Sequence, residues 1–215
     1  MKIRDVYAAL DKYAPFKLSN RYCEEENGYD NSGIIIDTDE DITGIVFSLD
    51  FSFLAVNKAI ELGYNLIITH HPAIYHPIKC VEGAVALAAN NKIGVISCHI
   101  NLDMAKEGID YYFAKGLGAK NQEILTKYSD CEGYGRRFFI GKPLKDIVRR
   151  AEEEFNTTVL YYGADDKLIN YAASFCGAGL FGDNAETKAD LLCSADVPHH
   201  VILSAVEQEI GRAHV

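Results

Sequence analysis

Apolar runs of strand length recur along the first half of the chain, at Gly33–Asp37, Gly44–Asp50, Asn65–Thr69 and Ile93–His99, each bounded by polar or turn-forming residues. Between them the apolar positions take helical spacing. Ser52 is placed to cap a helix that buries Leu54, Ala55, Ala59 and Leu62 and stops at Gly63, and Gly83–Asn90 supplies the next crossover. Strands alternating with helices form parallel βαβ units, which present ligand sites at the carboxyl ends of their strands. Asp50, His70, His71 and His99 all fall at such ends.

The texture changes from about residue 129. Gly135–Gly141 reads as a strand, Pro143–Phe155 as a helix, and Thr158–Tyr162 and Tyr171–Cys176 as two further strands. Ala185–Cys193 reads as a helix, and another runs from about His199 to Gln208, with Pro198 near its first turn, where a missing N–H does no harm. The expected organisation is an α/β fold with a mostly parallel, Rossmann-like sheet flanked by helices. Residues 1–128 and 180–208 would form this main domain, with a smaller α+β subdomain inserted at 129–179. The chain contains no internal repeat and no low-complexity tract.

Composition narrows the class. With 215 residues, 48% of them hydrophobic, the chain can bury one substantial core. Twenty-one basic against thirty-one acidic residues leave a formal charge of −10, which repels nucleic-acid backbones and anionic membranes. Arg136-Arg137 and Arg149-Arg150 are the densest basic groups, short and flanked by Glu152-Glu153-Glu154, so both read as part of a solvated helix face. No nucleic-acid or membrane partner is therefore expected. Six cysteines without C-x-x-C spacing indicate reduced thiols. The N-terminus turns polar too soon for a signal peptide, and no apolar stretch approaches the roughly 20 residues that span a bilayer. The expected compartment is the cytoplasm.

The chemistry concentrates in two clusters, Thr69-His70-His71-Pro72 and His99-Ile100-Asn101-Leu102-Asp103. Imidazoles with a carboxylate suit a borderline divalent ion such as Zn, Mn, Fe, Co or Ni, whereas Mg and Ca prefer oxygen ligands. Successive side chains of an extended strand point to opposite faces, so His70 and His71 can share a cleft only if the strand ends there. Pro72 favours that by keeping His71 out of helical angles. If a helical turn follows the second strand at once, His99 and Asp103 project on the same side, about 6 Å apart. An aspartate so placed could bridge two ions, which would activate a shared water for hydrolysis. A lone histidine at a strand end is more often a hydrogen-bonded loop residue, but here four candidates share one sheet edge. Asp50 reads as a ligand, an orienting group or a helix cap, with the last two favoured. His76 reads as a loop histidine, Cys98 as a core residue facing away from His99, and Asp196, His199 and His200 as caps or surface groups as readily as site residues.

These motifs resemble the GTP cyclohydrolase 1 type 2 homologue family, also described as NGG-interacting-factor-like. Its Trp-Asp-Asn-x-Gly pattern appears as Tyr29-Asp30-Asn31-Ser32-Gly33, its Thr-His-His-Pro as Thr69–Pro72 and its His-x-x-x-Asp as His99–Asp103. Its Gly-Asp-x-x-x-His element is echoed by Ala195–His200. The resemblance implies a two-subdomain α/β fold, toroidal homohexamers, and a dinuclear centre ligated by His70, His71, His99 and Asp103. Asp30, Asn31, Asp50, Asp196 and His200 become candidates for orienting the ligands or meeting substrate, and no catalytic residue is assigned. The family also completes its site with a C-terminal His-x-x-x-Glu, which is not found here: His214 has no glutamate four residues on. Residues 209–215 correspond to the translation of GAG ATC GGA AGA GCA CAC GTC, a sequencing-adapter string, and are expected to be a non-native tail. The expected result is an incomplete site and an unpaired sheet edge.

Two functions follow from this reading. One is a metal-dependent hydrolase-like protein whose two divalent ions activate water toward a nucleotide-like or phosphorylated small molecule. The alternative is a non-catalytic metal-binding protein that regulates or handles metal. A purely structural metal supporting the oligomer fits less well with histidines at the ligand-binding edge of the sheet.

Overall fold

The computed structural model describes residues 1–26, 28–179, 187–207 and 211–214. The chain divides into two units, Met1–Ala105 and Lys106–Val215.

The first unit begins with α1 (Ile3–Tyr13) and α2 (Lys17–Glu25), followed by β1 (Gly33–Ile36), β2 (Ile45–Ser48), α3 (Phe53–Leu62), β3 (Leu66–Thr69), α4 (Gly83–Asn90), β4 (Gly94–Ser97) and the short α5 (Ile100–Met104). Its sheet has the order β1-β4-β3-β2. β2, β3 and β4 are parallel, and β1 closes the edge antiparallel to β4. Strand alternation sorts the core into two layers. Leu66, Ile68, Ile96 and Cys98 pack with Ile3, Val6 and Phe16, while Ile67 and Val95 pack with Val56, Ala59 and Ala88 from the crossover helices. Burial on both faces explains why β3 and β4 read as continuous apolar runs. Ser52 caps α3 by accepting from the N–H of Ala55, and Gly63 ends the helix in the left-handed conformation that glycine adopts without strain. These four strands and two crossovers follow the sequence expectation, except that α3 buries Ala55, Val56 and Ala59 while Leu54 and Leu62, expected inside, are exposed. That expectation held nothing for α1 and α2.

The second unit comprises α6 (Ile109–Leu117), β5 (Gln122–Lys127), β6 (Gly133–Pro143), α7 (Leu144–Phe155), β7 (Leu160–Tyr162), β8 (Leu168–Phe175), β9 (Leu191–Ser194), α8 (His199–Glu207) and β10 (Gly211–His214). Its mixed sheet has the order β5-β6-β8-β9-β10-β7. Helix α7 buries Leu144, Ile147, Val148 and Ala151, one stripe at i, i+3, i+4 and i+7, against Phe138, Ile169, Ala172, Leu191 and Cys193 of the sheet. On the other face Phe175 and Leu192 meet Val197 and Val201.

The chain is α/β, with a mostly parallel first sheet, but its boundaries differ from those expected. The division falls after Ala105, not at 128, and the second unit is continuous, not inserted. Residues 191–207 belong to it because β9 pairs parallel with β8. The helix expected at 185–193 is corrected. Residues 185 and 186 lie outside the described residues, 187–190 are irregular, and Leu191-Leu192-Cys193-Ser194 is a strand buried on both faces. Apolar runs this short do not distinguish a buried strand from a buried helix by periodicity. The main chain of 211–214 pairs with β9 on one side and β7 on the other, so the edge expected to be unpaired at β9 is filled. All six cysteines are free thiols, and no helix among the described residues is long and apolar enough to cross a membrane.

Asp110 anchors the second unit. It is fully buried, and its two carboxylate oxygens accept the main-chain N–H groups of Gly135, at 2.5 Å, and Cys176, at 2.7 Å. Burial pushes its pKa up to about 6 from 3.8, against the opposing effect of those hydrogen bonds and the nearby Arg136. The folded chain thus holds this proton more tightly than the unfolded chain does. The stabilisation from that proton is complete below about pH 4 and is lost as pH rises through about 6. Asp110→Ala leaves two buried donors unpaired and should cost about 2–4 kcal/mol at pH 4, with the gap to wild type narrowing as pH rises to 7. Urea unfolding across that range checks this; a gap independent of pH would contradict it.

Candidate metal centre

Three histidines meet at the carboxyl ends of β3 and β4. β3 ends at Thr69, so His70 and His71 lie in the bend that follows, where the pleat no longer sends them to opposite faces. The bend is fixed by His70 N–H donating to the Ser48 carbonyl, His71 N–H to that of Leu49, and Ala73 N–H to the Ser97 hydroxyl. His99 sits at the N-terminal boundary of α5, which starts directly after β4 and returns the N–H of Asp103 to the His99 carbonyl at 3.0 Å.

One ring nitrogen from each of His70, His71 and His99 lies within 4.8 Å of the others. The ring centroids are 5.0 to 5.7 Å apart. In all three rings the Nδ1 is already engaged: by the Cys98 carbonyl at 2.8 Å for His70, by Asp50 Oδ1 at 2.7 Å for His71, and by Asp30 Oδ1 at 2.7 Å for His99. A carbonyl or carboxylate can only accept, so each Nδ1 carries a proton, and Nε2 is the nitrogen that each ring has left for a metal ion. This is how metal-ligating histidines are oriented. Asp103 is buried at 6% exposure, and its Oδ1 lies 3.7 Å from His70 Nε2.

The supports differ in strength. Asp30 has a fully buried side chain. Its Oδ2 accepts from the Ser19 hydroxyl at 2.5 Å and the Ser32 hydroxyl at 2.6 Å, and Ser32 in turn accepts the His99 N–H at 2.9 Å. Burial alone would raise the Asp30 pKa, but the hydrogen bonds from His99, Ser19 and Ser32 outweigh it and hold the carboxyl below its ordinary value. For His99 burial favours the neutral ring, while the Asp30 hydrogen bond and charge, with Asp103 adding, raise the pKa overall. Burial lowers that of His70, helped by the neighbouring imidazoles, so this ring stays neutral and able to donate its lone pair. The Asp50–His71 pair is the solvent-facing one, at 68% and 47% side-chain exposure.

Sheet topology explains why Asp30 is there. β1 runs antiparallel to β4 with Gly33 opposite Ser97, so the residues just before β1 arrive beside His99. Asn31, from the same segment, donates to the Ile74 carbonyl at 2.7 Å and ties down the loop after His71. That loop carries Tyr75, whose ring lies 6.2 Å from that of His99 and 5.9 Å from that of Tyr29. The sequence reading did not single out Tyr75, Ser19 or Ser32. A serine two residues after Asp30 was the one available signal, since Ser19 lies on a helix without a sequence expectation. Cys98 is buried in the core as expected, with its thiol pushed up to about 11 by burial. His76 is exposed and stacks on Tyr29. Asp196 and His200 belong to the second unit, exposed between β9 and the first turn of α8. The three-histidine group does not include them.

Comparison with known proteins agrees with these motifs. A curated Staphylococcus aureus protein described as a GTP cyclohydrolase 1 type 2 homolog is 35% identical over 142 residues, covering 60% of this chain and 35% of the relative. The chain thus matches about a third of the length of that relative. A protein of the same description from Clostridium acetobutylicum is 28% identical over 98% of this chain and 82% of its own length. Among solved structures, a Staphylococcus aureus hypothetical protein superposes with a TM-score of 0.86 at 25% identity, over 100% of this chain and 85% of that one. Reduced HcgD from Methanocaldococcus jannaschii shares the fold, with a TM-score of 0.82 at 24% identity over 100% of this chain and 86% of that one. The Duf34/NIF3 (NGG1p interacting factor 3) family model matches residues 1–214, and the chain belongs to that family.

Proposed function

We propose that this chain is a metal-dependent, hydrolase-like protein whose centre holds two divalent ions and acts on a nucleotide-like or phosphorylated small molecule. The observation that carries this reading is the convergence of His70, His71 and His99 with every Nδ1 engaged by an acceptor. Three imidazole nitrogens on a single cleft leave room in a coordination shell, the arrangement of catalytic and not of closed structural sites. Asp103 supports a second ion, because its carboxylate adds an anionic oxygen beside His70. Ions bound there supply Lewis acidity, which makes water more acidic and draws charge from a substrate oxygen.

The chain's own residues bind and orient. Asp30, Asp50 and the Cys98 carbonyl hold the rings; Tyr29 and Tyr75, both exposed and in edge contact, offer an aromatic surface against which a base could stack. The names of the relatives make GTP the first nucleotide to test. By the same family resemblance, we carry the homohexamer as part of the proposal, to be tested by light scattering.

Asp30→Asn keeps the size of the side chain but loses its charge, and should weaken zinc or manganese affinity about 10- to 100-fold in a competitive chelator titration. Unchanged affinity would contradict the orienting role. Asp103→Ala should abolish turnover of GTP or a phosphomonoester panel while leaving the unfolding free energy within about 1 kcal/mol of wild type. If wild type binds metal but turns over none of these compounds, the metal-handling reading replaces the enzymatic one.

A further inference from the structure

The second unit contains a cleft of about 520 Å³ that is separate from the histidine cluster in sequence and in chemistry. In a chain of net charge −10, its lining is cationic: Lys106, Lys115, Lys120 and Arg136 against Glu107 and Asp130. The lysines are exposed, whereas Arg136 is only 2% exposed.

Arg136 is unusual for a buried cation. Its Nη1 donates to the carbonyls of Gly133, at 2.8 Å, and Gly135, at 3.2 Å, and among the described residues its Nε and Nη2 have no hydrogen-bond acceptor and the side chain has no ion pair. Asp110, the nearby carboxylate, is committed to the N–H groups of Gly135 and Cys176. Asp110 compensates the guanidinium charge from nearby but makes no hydrogen bond to it, and the partner that matches the open side of its planar fork is a bidentate oxyanion. Gln122 lines the same cleft with the complementary need. Its Nε2 donates to the Tyr111 carbonyl at 3.1 Å, while its Oε1 is buried with no partner among the described residues. Lys115 is held over the Tyr111 and Tyr112 rings, at 5.8 and 5.2 Å.

We propose that this cleft is a binding site for a small phosphomonoester, its phosphate oxygens held by Arg136 and the rim lysines and a hydroxyl of the ligand donating to Gln122. A phosphate supplies the anionic fork that Arg136 lacks, and a polyol ester supplies the donor that Gln122 lacks. The site stands independently of the metal reading.

The test is titration of ribose 5-phosphate into the full chain, stripped of metal with EDTA and in low salt, by calorimetry, with ribose as control. Saturable binding of the phosphate ester and none of ribose is expected. Arg136→Met should weaken binding at least about tenfold. Because Arg136 is buried and its replacement puts folding at risk, the exposed pair Lys106→Glu/Lys120→Glu is titrated beside it and should weaken binding severalfold. Absence of saturable binding, binding unchanged in the charge-reversed pair, or binding lost instead in His99→Ala would each overturn the proposal.

Discussion

The hydrogen bond between Asp30 and His99 is the interaction on which the histidine centre depends. It joins the segment before β1 to the end of β4, two places 69 residues apart in sequence, and it does so in a buried setting where the carboxylate is also clamped by two serine hydroxyls. An ionised carboxylate there is tolerated only because all its bonds are made. With His99 fixed in this way, its Nε2 is presented to the cleft. His70 is fixed by a main-chain carbonyl, which no substitution at Cys98 removes outright. His71, on the wet side, is the adjustable member, since its Asp50 partner is largely solvated and screened.

Backbone geometry gives the centre its rigidity. The parallel strands β2, β3 and β4 are tied in register, so Ser48, Thr69 and Ser97 end level with each other and the residues that follow emerge side by side. The antiparallel β1 brings a fourth chain segment to the same edge from the opposite direction. One edge therefore collects four segments, and the polar residues at their tips meet without a long loop having to be ordered.

Much of this was legible in the sequence. Thr69–Pro72 and His99–Asp103 announced both clusters, because histidines directly after apolar strand runs have few structural reasons to gather there, and Pro72 marked the end of the pleat. The helical turn on which the His99–Asp103 reading was conditional does begin at Ile100. Asp50, left open as a ligand, an orienting group or a helix cap, is hydrogen-bonded to His71 Nδ1; Ser19 and Tyr75 were not singled out, since their contacts arise from tertiary proximity and leave no local pattern. The second unit was harder to read. Leu191–Ser194 is a four-residue run whose buried strand and buried helix forms look alike, and its partner β8 is distant enough in sequence that only the folded sheet reveals the pairing. The cationic cleft was masked for a similar reason: Lys106, Lys115, Lys120 and Arg136 are scattered singly through an acidic chain, and Arg136 within its short basic pair looked like a surface residue.

The most direct test of the account is the metal content of the chain, measured by elemental analysis after gel filtration from metal-replete buffer, for wild type and for His99→Ala. The account predicts that wild type retains divalent metal through the column and that the variant, still folded by circular dichroism, loses most of it. Wild type that elutes free of metal, or a variant that retains as much as wild type, would contradict the assignment of His70, His71 and His99 as a metal centre.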